Sequence, residues 1–439
     1  MIKSRVLSSE LKNNVGKNVV IAGWLYKKRE LGGMTFLIVR DRDGLIQVLD
    51  DKSKESEKLK GLYPGTVLIV EGEVVEEKRA PGGIEIHDPK LKIEVPVEFV
   101  PPIEIDKPLS HDSENLDTLF DYRVIGLRNV KESAVFKILA EVKDSMRRFL
   151  KKNDFVEFNS PKLLAGSTEG GAEVFKLDYF GKPATLAQSA QFYKQIMVGV
   201  FERVFEINPT YRAERSATTR HMTEFMHLDV EMGFIDFEGL INIIGRMLKE
   251  ITEQVWENCE PELVSWEAVK PVLPEEIPVM TLADIHEKYS AANEQQTIGE
   301  KDLRPDEERW ICEYAKEKFG SEAVFVIEWP ASEMKFYHKL NEKNPNIADR
   351  FDLIFRGVEI CTGSMREHRY DKLIRQLKDL AGGDPENPGF KYYLQAFQFG
   401  MPPHGGVGMG LERLTQKIIG LSNVKEASLF PRDMNRLAP

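Results

Sequence analysis

The chain has 439 residues, 42% of them hydrophobic and 30% charged, which reads as a soluble globular protein too long for one ordinary core, so two domains are expected. No run reaches membrane-spanning length, and the opening MIKSRVLSSELKNNVGK lacks the apolar stretch of a secretion signal, so the expected location is cytoplasmic with no membrane partner. The formal net charge of −11 does not exclude nucleic acid, because a phosphate backbone responds to local patches rather than to the total.

Three cysteines, Cys259, Cys312 and Cys361, stand far apart with no C-x-x-C, and the eight histidines contain no H-E-x-x-H. Neither a disulfide framework nor a zinc site is indicated, so any metal would be a hard ion such as Mg2+ on oxygen ligands.

Residues 17–100 predict five short strands, NVVIAGWLYKKR, MTFLIVRD, LIQVLD, TVLIVEGEVVEEK and IEIHDPKLKIEV, separated by Gly-Gly, Asp-Gly and Pro-Gly turns. A polar, helix-like piece, KSKESEKLKGL, falls between the third and fourth. That order is the order of an OB-fold, a five-stranded β-barrel that binds oligonucleotides on one face. Tyr26, Lys28, Arg29, Phe36 and Gln47 are the exposed-face candidates, a mixture suited to stacking and to reading unpaired bases. Trp24 is expected in the barrel core.

The barrel is assigned residues 1–100, and the Pro-rich strip around VPVEFVPPIEIDKPLS a linker or hinge over 101–129. From 130 to 439 an amphipathic helix, SAVFKILAEVKDSMRRFLKKN, leads into irregularly alternating strands and helices. The fold class is therefore α+β, a barrel followed by a larger mixed domain.

The charge-rich stretch YRAERSATTRHMTEFMHLDVEM, residues 211–232, places Arg212, Arg215, Arg220 and His221 around Glu214. A solvated loop between two strands has the same composition. A hairpin built around a polyanion is the alternative, with arginines on a phosphate. Near the C-terminus, GVGMGLERL ends in a helix start carrying Glu412 and Arg413; glycines let a ligand approach the backbone, although they also suit helix packing. In FDLIFRGVEICTGSMREHRYD, Glu359 and Thr362 flank a tight turn and pair a carboxylate with a hydroxyl, a set that suits Mg2+ bridging phosphates, while a solvent-facing glutamate is the ordinary alternative. STEGGAEVF puts Glu169 in a Gly-Gly loop, and QSAQFYKQ groups Gln188, Ser189, Gln191 and Lys194.

Taken in order, the barrel, the helix running to Pro161, the Y-R-A-E-x(5)-R-H string and the G-x-G-x-E-R string resemble the class II aminoacyl-tRNA synthetases with an N-terminal anticodon-binding barrel. QFYKQ and GSMREH are similar to strings of the aspartyl-tRNA synthetases. The resemblance implies an antiparallel catalytic sheet flanked by helices, a homodimer made through the helix before Pro161, ATP and Mg2+ as co-substrate and cofactor, and L-aspartate with tRNA(Asp) as partners.

It also implies roles for named residues. Arg212, Glu359 and Arg413 would be catalytic, with Arg212 on the α-phosphate and Glu359 and Thr362 on the metal. ATP would be held by Arg212, Ala213, Glu214, Arg220, His221, Met222, Phe225, Glu359, Val407, Gly408, Met409, Gly410 and Arg413, with the adenine between Phe225 and Arg413. Aspartate would be met by Glu169, Gln191, Lys194, Arg212, Asp229, Thr362 and Arg366, since a second carboxylate needs buried cations. Tyr26, Arg29, Phe36, Gln47, Pro81 and Glu85 would face the anticodon. Pro81, with no tryptophan at Tyr26, goes with relaxed enzymes that also charge tRNA(Asn). An asparaginyl-tRNA synthetase and a non-catalytic RNA-binding paralogue are the competing readings.

Overall fold

The computed structural model describes residues 5–51, 55–166, 173–215 and 218–439, and the chain divides into two compact units, 1–132 and 133–439. In the first, β1 (Asn18–Leu31), β2 (Met34–Arg40), β3 (Leu45–Asp50), β4 (Val67–Glu76) and β5 (Ile84–Val95) close into a barrel in the order β1-β2-β3-β5-β4. Alternate residues fill it: Ile21, Leu37, Val39, Ile46, Val48, Leu68, Val70, Val74 and Ile86 form one apolar core. Between β3 and β4, where a helix-like piece is expected over 52–62, the described residues hold a short 3-10 turn, Ser56–Leu59; residues 52–54 lie outside the described residues.

Two expectations for β1 are overturned. The register slips between Leu25 and Lys27; Leu25 enters the barrel core, and Tyr26, outside that core, is nonetheless only 8% exposed. Tyr26 is thus not on the open face; it hydrogen-bonds to the backbone of Val130, and burial raises its pKa. Trp24 is not core: it alternates with the inward-facing Leu25, is 36% exposed, and the Arg40 guanidinium covers its ring at 4.7 Å. The stretch 101–129 falls within the first unit and carries α1 (Ser113–Asp121) and α2 (Arg123–Gly126).

The second unit begins at Ser133, within α3 (Val130–Lys152), whose Val135, Ile138, Val142, Met146 and Phe149 recur at helical spacing and are buried. Then follow β6 (Val156–Glu157), β7 (Leu163–Leu164), β8 (Lys176–Tyr179), β9 (Lys182–Leu186), α4 (Gln191–Phe201), β10 (Arg203–Tyr211), β11 (Glu224–Gly233), α5 (Phe237–Asn258) and α6 (Glu260–Ser265). After them come β12 (Val279–Thr281), α7 (Leu282–Asn293), α8 (Pro305–Phe319), β13 (Ala323–Pro330), β14 (Ile347–Phe355), β15 (Val358–Met365), α9 (Tyr370–Ala381), α10 (Pro388–Gln398), β16 (His404–Gly410) and α11 (Leu411–Ile419).

Eight strands make the main sheet in the order β12-β13-β14-β15-β16-β11-β10-β6. Its six inner strands are antiparallel, and β12 and β6 add in parallel at the two edges. This is the α+β arrangement expected, modified at the edges. Leu228, Val230 and Met232 of β11 share one apolar cluster with residues of α3 and α5, including Met146, Ile244, Met247 and Ile251. Strand alternation therefore commits Phe225, His227, Asp229 and Glu231 to the opposite face.

Candidate functional site

That opposite face borders a cavity of about 510 Å³ whose lining includes Gln191, Lys194, Arg212, Phe225, Asp229, Glu359, Thr362, Arg366 and Arg413. Motifs separated by more than two hundred residues meet here because β11, β16 and β15 are neighbours in the sheet. The stretch 211–232 is the hairpin of β10 and β11, extended by Arg212 N–H donating to the Thr223 carbonyl at 2.9 Å.

At one end of the cavity the charged groups lack protein partners or borrow distant ones. Arg212 Nε is buried without a hydrogen bond, and its guanidinium lies 5.5 Å from the centre of the Phe225 ring. Arg220 is turned to α8, donating to Glu308 at 2.6 Å and to the Gly357 carbonyl at 3.2 Å. His221 Nδ1 shares a hydrogen bond with the Thr218 hydroxyl at 2.6 Å, and its Nε2 stands 3.9 Å from Glu214. Burial, reinforced by Arg413, lowers the His221 pKa. Ala213 N–H donates to the Glu173 carbonyl, and Met222 is a buried part of the lining. Arg215 is exposed and pairs with Glu173.

Arg413, in the first turn of α11, donates to the Glu359 carbonyl at 3.0 Å and stands 3.6 Å from its carboxylate. Thr362 Oγ donates to Glu359 at 3.1 Å. Burial opposes ionisation of Glu359, but Arg413, Arg350 and the Thr362 hydroxyl outweigh it and hold the carboxyl below its ordinary range.

Asp352, which faces Thr362 across β14 and β15, completes this group and was not singled out from the sequence. Its Oδ2 accepts from Arg350 at 2.8 Å, while Oδ1 is buried with no partner. Burial, with Glu359 nearby, pushes its pKa up to about 7. An orphaned carboxylate oxygen beside a second carboxylate and a hydroxyl is the donor set of a hard divalent cation, so these residues fit Mg2+.

At the other end the charges are already paired. Lys194 and Asp229 are each 1% exposed; Lys194 Nζ donates to Asp229 at 2.9 Å and to the Val407 carbonyl at 2.8 Å. Arg366 Nε and Nη2 donate to Glu231 at 2.8 and 3.1 Å, and Nη2 also reaches the Gly406 carbonyl. The two cations expected to be available are thus each held by a buried carboxylate, and Glu231 is the member that the sequence reading left without a role. Gln191 Nε2, by contrast, is buried without a partner and borders the cavity. Glu169 lies outside the described residues.

The glycines of GVGMG have a local reason. A Cβ at Gly406 would come within 2.1 Å of Glu231 Oε2, and one at Gly408 within 2.4 Å of the His227 ring. Val407 and Met409 point the other way, into the core, and Gly410 leads into α11 beside Arg413. Glu412 is structural: it accepts the Met226 N–H at 3.0 and 3.1 Å, tying α11 to β11, and burial pushes its pKa up to about 7.

On the barrel, Arg29 lies opposite Phe36 in β1 and β2, and Gln47 opposite Glu85 in β3 and β5. Gln47 donates to Glu85 at 2.8 Å, and Glu85 also contacts His87 Nε2 at 2.6 Å. Pro81 starts an exposed turn between β4 and β5.

Residues 115–434 match the family described as tRNA synthetases class II (D, K and N), and residues 19–94 match the OB-fold nucleic acid binding domain. The chain belongs to the class II tRNA synthetases. Among curated relatives of this synthetase, the aspartate–tRNA(Asp/Asn) ligase of Thermus thermophilus is 43% identical over 99% of the chain and 100% of its own length. The aspartate–tRNA(Asp) ligase of Pyrococcus horikoshii is 39% identical over 97% of each. Among solved structures, the asparaginyl-tRNA synthetase of Pyrococcus horikoshii complexed with asparaginyl-adenylate superposes with a TM-score of 0.92 at 32% identity, covering 100% of both chains. As a class II synthetase the protein is a ligase, and its barrel matches a nucleic-acid-binding family. Among the described residues, no helix is long and apolar enough to cross a membrane.

Proposed function

We propose that this synthetase activates L-aspartate with ATP and transfers it to the 3′ end of tRNA(Asp) and of tRNA(Asn). The observation that carries the choice of amino acid is the buried pair Lys194 and Arg366 at one end of the cavity, each oriented by a carboxylate, Asp229 and Glu231. A side-chain carboxylate entering there meets charged donors already in place, whereas an apolar side chain offers those donors no acceptor.

In activation, the α-carboxylate of aspartate attacks the α-phosphorus in line, and pyrophosphate leaves. Arg212, whose Nε lacks a protein partner, neutralises charge growing on the α-phosphoryl oxygens. Glu214, Arg220, His221 and Met222 border the nucleotide, Phe225 and Arg413 flank the adenine, and the backbone around Gly408 and Gly410 passes close to it. Gln191 and Glu169 meet the amino-acid backbone. Asp352, Glu359 and Thr362 would hold Mg2+, which when bound neutralises the departing pyrophosphate.

Arg29, Phe36, Gln47 and Glu85 share one outer face of the barrel, on which unpaired anticodon bases would stack and be read. Tyr26 is buried and Pro81 stiffens the turn beside that face. Both favour a barrel with one discriminating contact fewer, which is the basis for including tRNA(Asn). A homodimer is supported by exposed apolar side chains after α3, Val156 on edge strand β6, Leu163 and Tyr179, and a cytoplasmic location follows from the activity.

The test is aminoacylation with radiolabelled aspartate on two transcripts that carry the aspartate and asparagine anticodons. Comparable charging of both is expected. Charging of tRNA(Asp) alone would remove the relaxed specificity, and charging of neither would remove aspartate.

A further inference from the structure

His227 lines the pocket and is used by none of the roles above. Alternation along β11 puts Phe225, His227 and Asp229 in a row on the cavity face, each about 7 Å from the next. On the proposed reading Phe225 and Arg212 mark the adenine and α-phosphate, and Asp229 with Lys194 marks the amino-acid side chain. The group between them is the acyl-phosphate junction, where the new ester bond must form.

The imidazole is oriented for one task. Its Nδ1 lies 3.0 Å from Asp229 Oδ2. Burial opposes ionisation of Asp229, but Lys194 and His227 hold the carboxyl well below its ordinary range, so Asp229 is an acceptor and Nδ1 carries the proton. In the neutral tautomer that remains, Nε2 has a free lone pair. Among the described residues no hydrogen bond to Nε2 is found, and His227 borders the cavity. A carboxylate fixing one ring nitrogen so that the other faces substrate is the arrangement of an oriented general base. Gly408 keeps room for this ring, since a Cβ there would come within 2.9 Å of Nε2.

The charged groups around the ring are few. Asp229 is on its own strand, Lys194 reaches Asp229 from α4, and Arg212 approaches from the end of β10 over Phe225, whose ring meets His227 edge-on at 6.1 Å. From β16 the ring meets Gly408.

From this arrangement we infer that His227 is the general base of the transfer step. The terminal ribose hydroxyl of tRNA attacks the acyl carbon of the aspartyl-adenylate. As the ester C–O bond forms, the hydroxyl proton passes to His227 Nε2. The acyl C–O bond to the phosphate then breaks, AMP leaves with its electron pair, and the imidazolium returns its proton to solvent. Activation needs no such base, because the attacking carboxylate is already ionised.

The inference rests on the proposed function, and single-turnover kinetics separate the two. Preformed enzyme-bound aspartyl-adenylate is mixed with tRNA to time transfer, and pyrophosphate exchange times activation, for the unaltered protein and for His227→Gln across pH. Transfer is expected to fall at least about 100-fold more than activation in the variant. The unaltered protein should transfer faster as pH rises, a rise that the variant lacks. His227→Ala should regain transfer with added imidazole. Equal losses in both steps, or an unchanged pH profile of transfer, would overturn the inference and leave His227 as a partner that positions Asp229. No activation of aspartate by the unaltered protein would instead overturn the parent reading.

Discussion

The two ends of the cavity solve opposite electrostatic problems. Where the amino acid is proposed to sit, Lys194, Asp229, Glu231 and Arg366 are buried and paired before any ligand arrives. Where the nucleotide is proposed to sit, Arg212 Nε and Asp352 Oδ1 have no partner, and Arg220 is lent to Glu308. The first arrangement fixes geometry in advance and confers selectivity; the second leaves ligating capacity open and is stabilised by what binds. Removing a group should therefore harm folding at the first end and chemistry at the second.

The largest effect tests that difference directly. Lys194→Met strands the Asp229 carboxylate in the interior, so it should lower unfolding free energy by about 3–5 kcal/mol as well as abolish aspartate activation; denaturant unfolding and pyrophosphate exchange measure the two. Arg212→Ala removes donors that the protein itself does not use, so kcat/KM for exchange should fall by about 100- to 1,000-fold with the unfolding midpoint nearly unchanged. A large loss of stability in Arg212→Ala would erase the contrast.

How much of this contrast could be read from the sequence differs between the ends. Arg212, Glu359 and Arg413 stand in strings whose spacing resembles the family, and the fold brings all three to one cavity. Asp352 and Glu231 went unassigned because their roles depend on sheet register: Asp352 faces Thr362, and Glu231 faces Gly406, across strands distant in sequence. No local pattern marks such a pairing. The same holds in the barrel, where the five strands were legible by alternation, but the burial of Tyr26 depends on residues distant in sequence, Val130 among them. His227 carries no motif at all, and its place between the two ends follows only from strand alternation.

Two smaller effects sharpen the comparison at the join between the ends. Gly408→Ala would press a methyl group against the His227 ring, and overpacking of this kind should cost about 1–3 kcal/mol of stability, again read by denaturant unfolding. The smallest effect concerns Glu412. Its folded pKa is raised by burial to about 7 from the ordinary carboxylate value of about 4.5, so the folded state holds a proton that the unfolded state releases. The stabilisation is complete below about pH 4.5 and is lost as pH rises through about 7. Unfolding free energies at pH 5 and pH 8 should therefore differ less in Glu412→Gln than in the unaltered protein.

The central claim is that the paired cations Lys194 and Arg366 select a second carboxylate, and pyrophosphate exchange with purified protein, ATP and either aspartate or asparagine tests it most directly. Exchange driven by aspartate at least about 100-fold more efficiently than by asparagine is the predicted result, in line with the discrimination of sites whose buried polar groups must be matched. Exchange driven equally well or better by asparagine would contradict it.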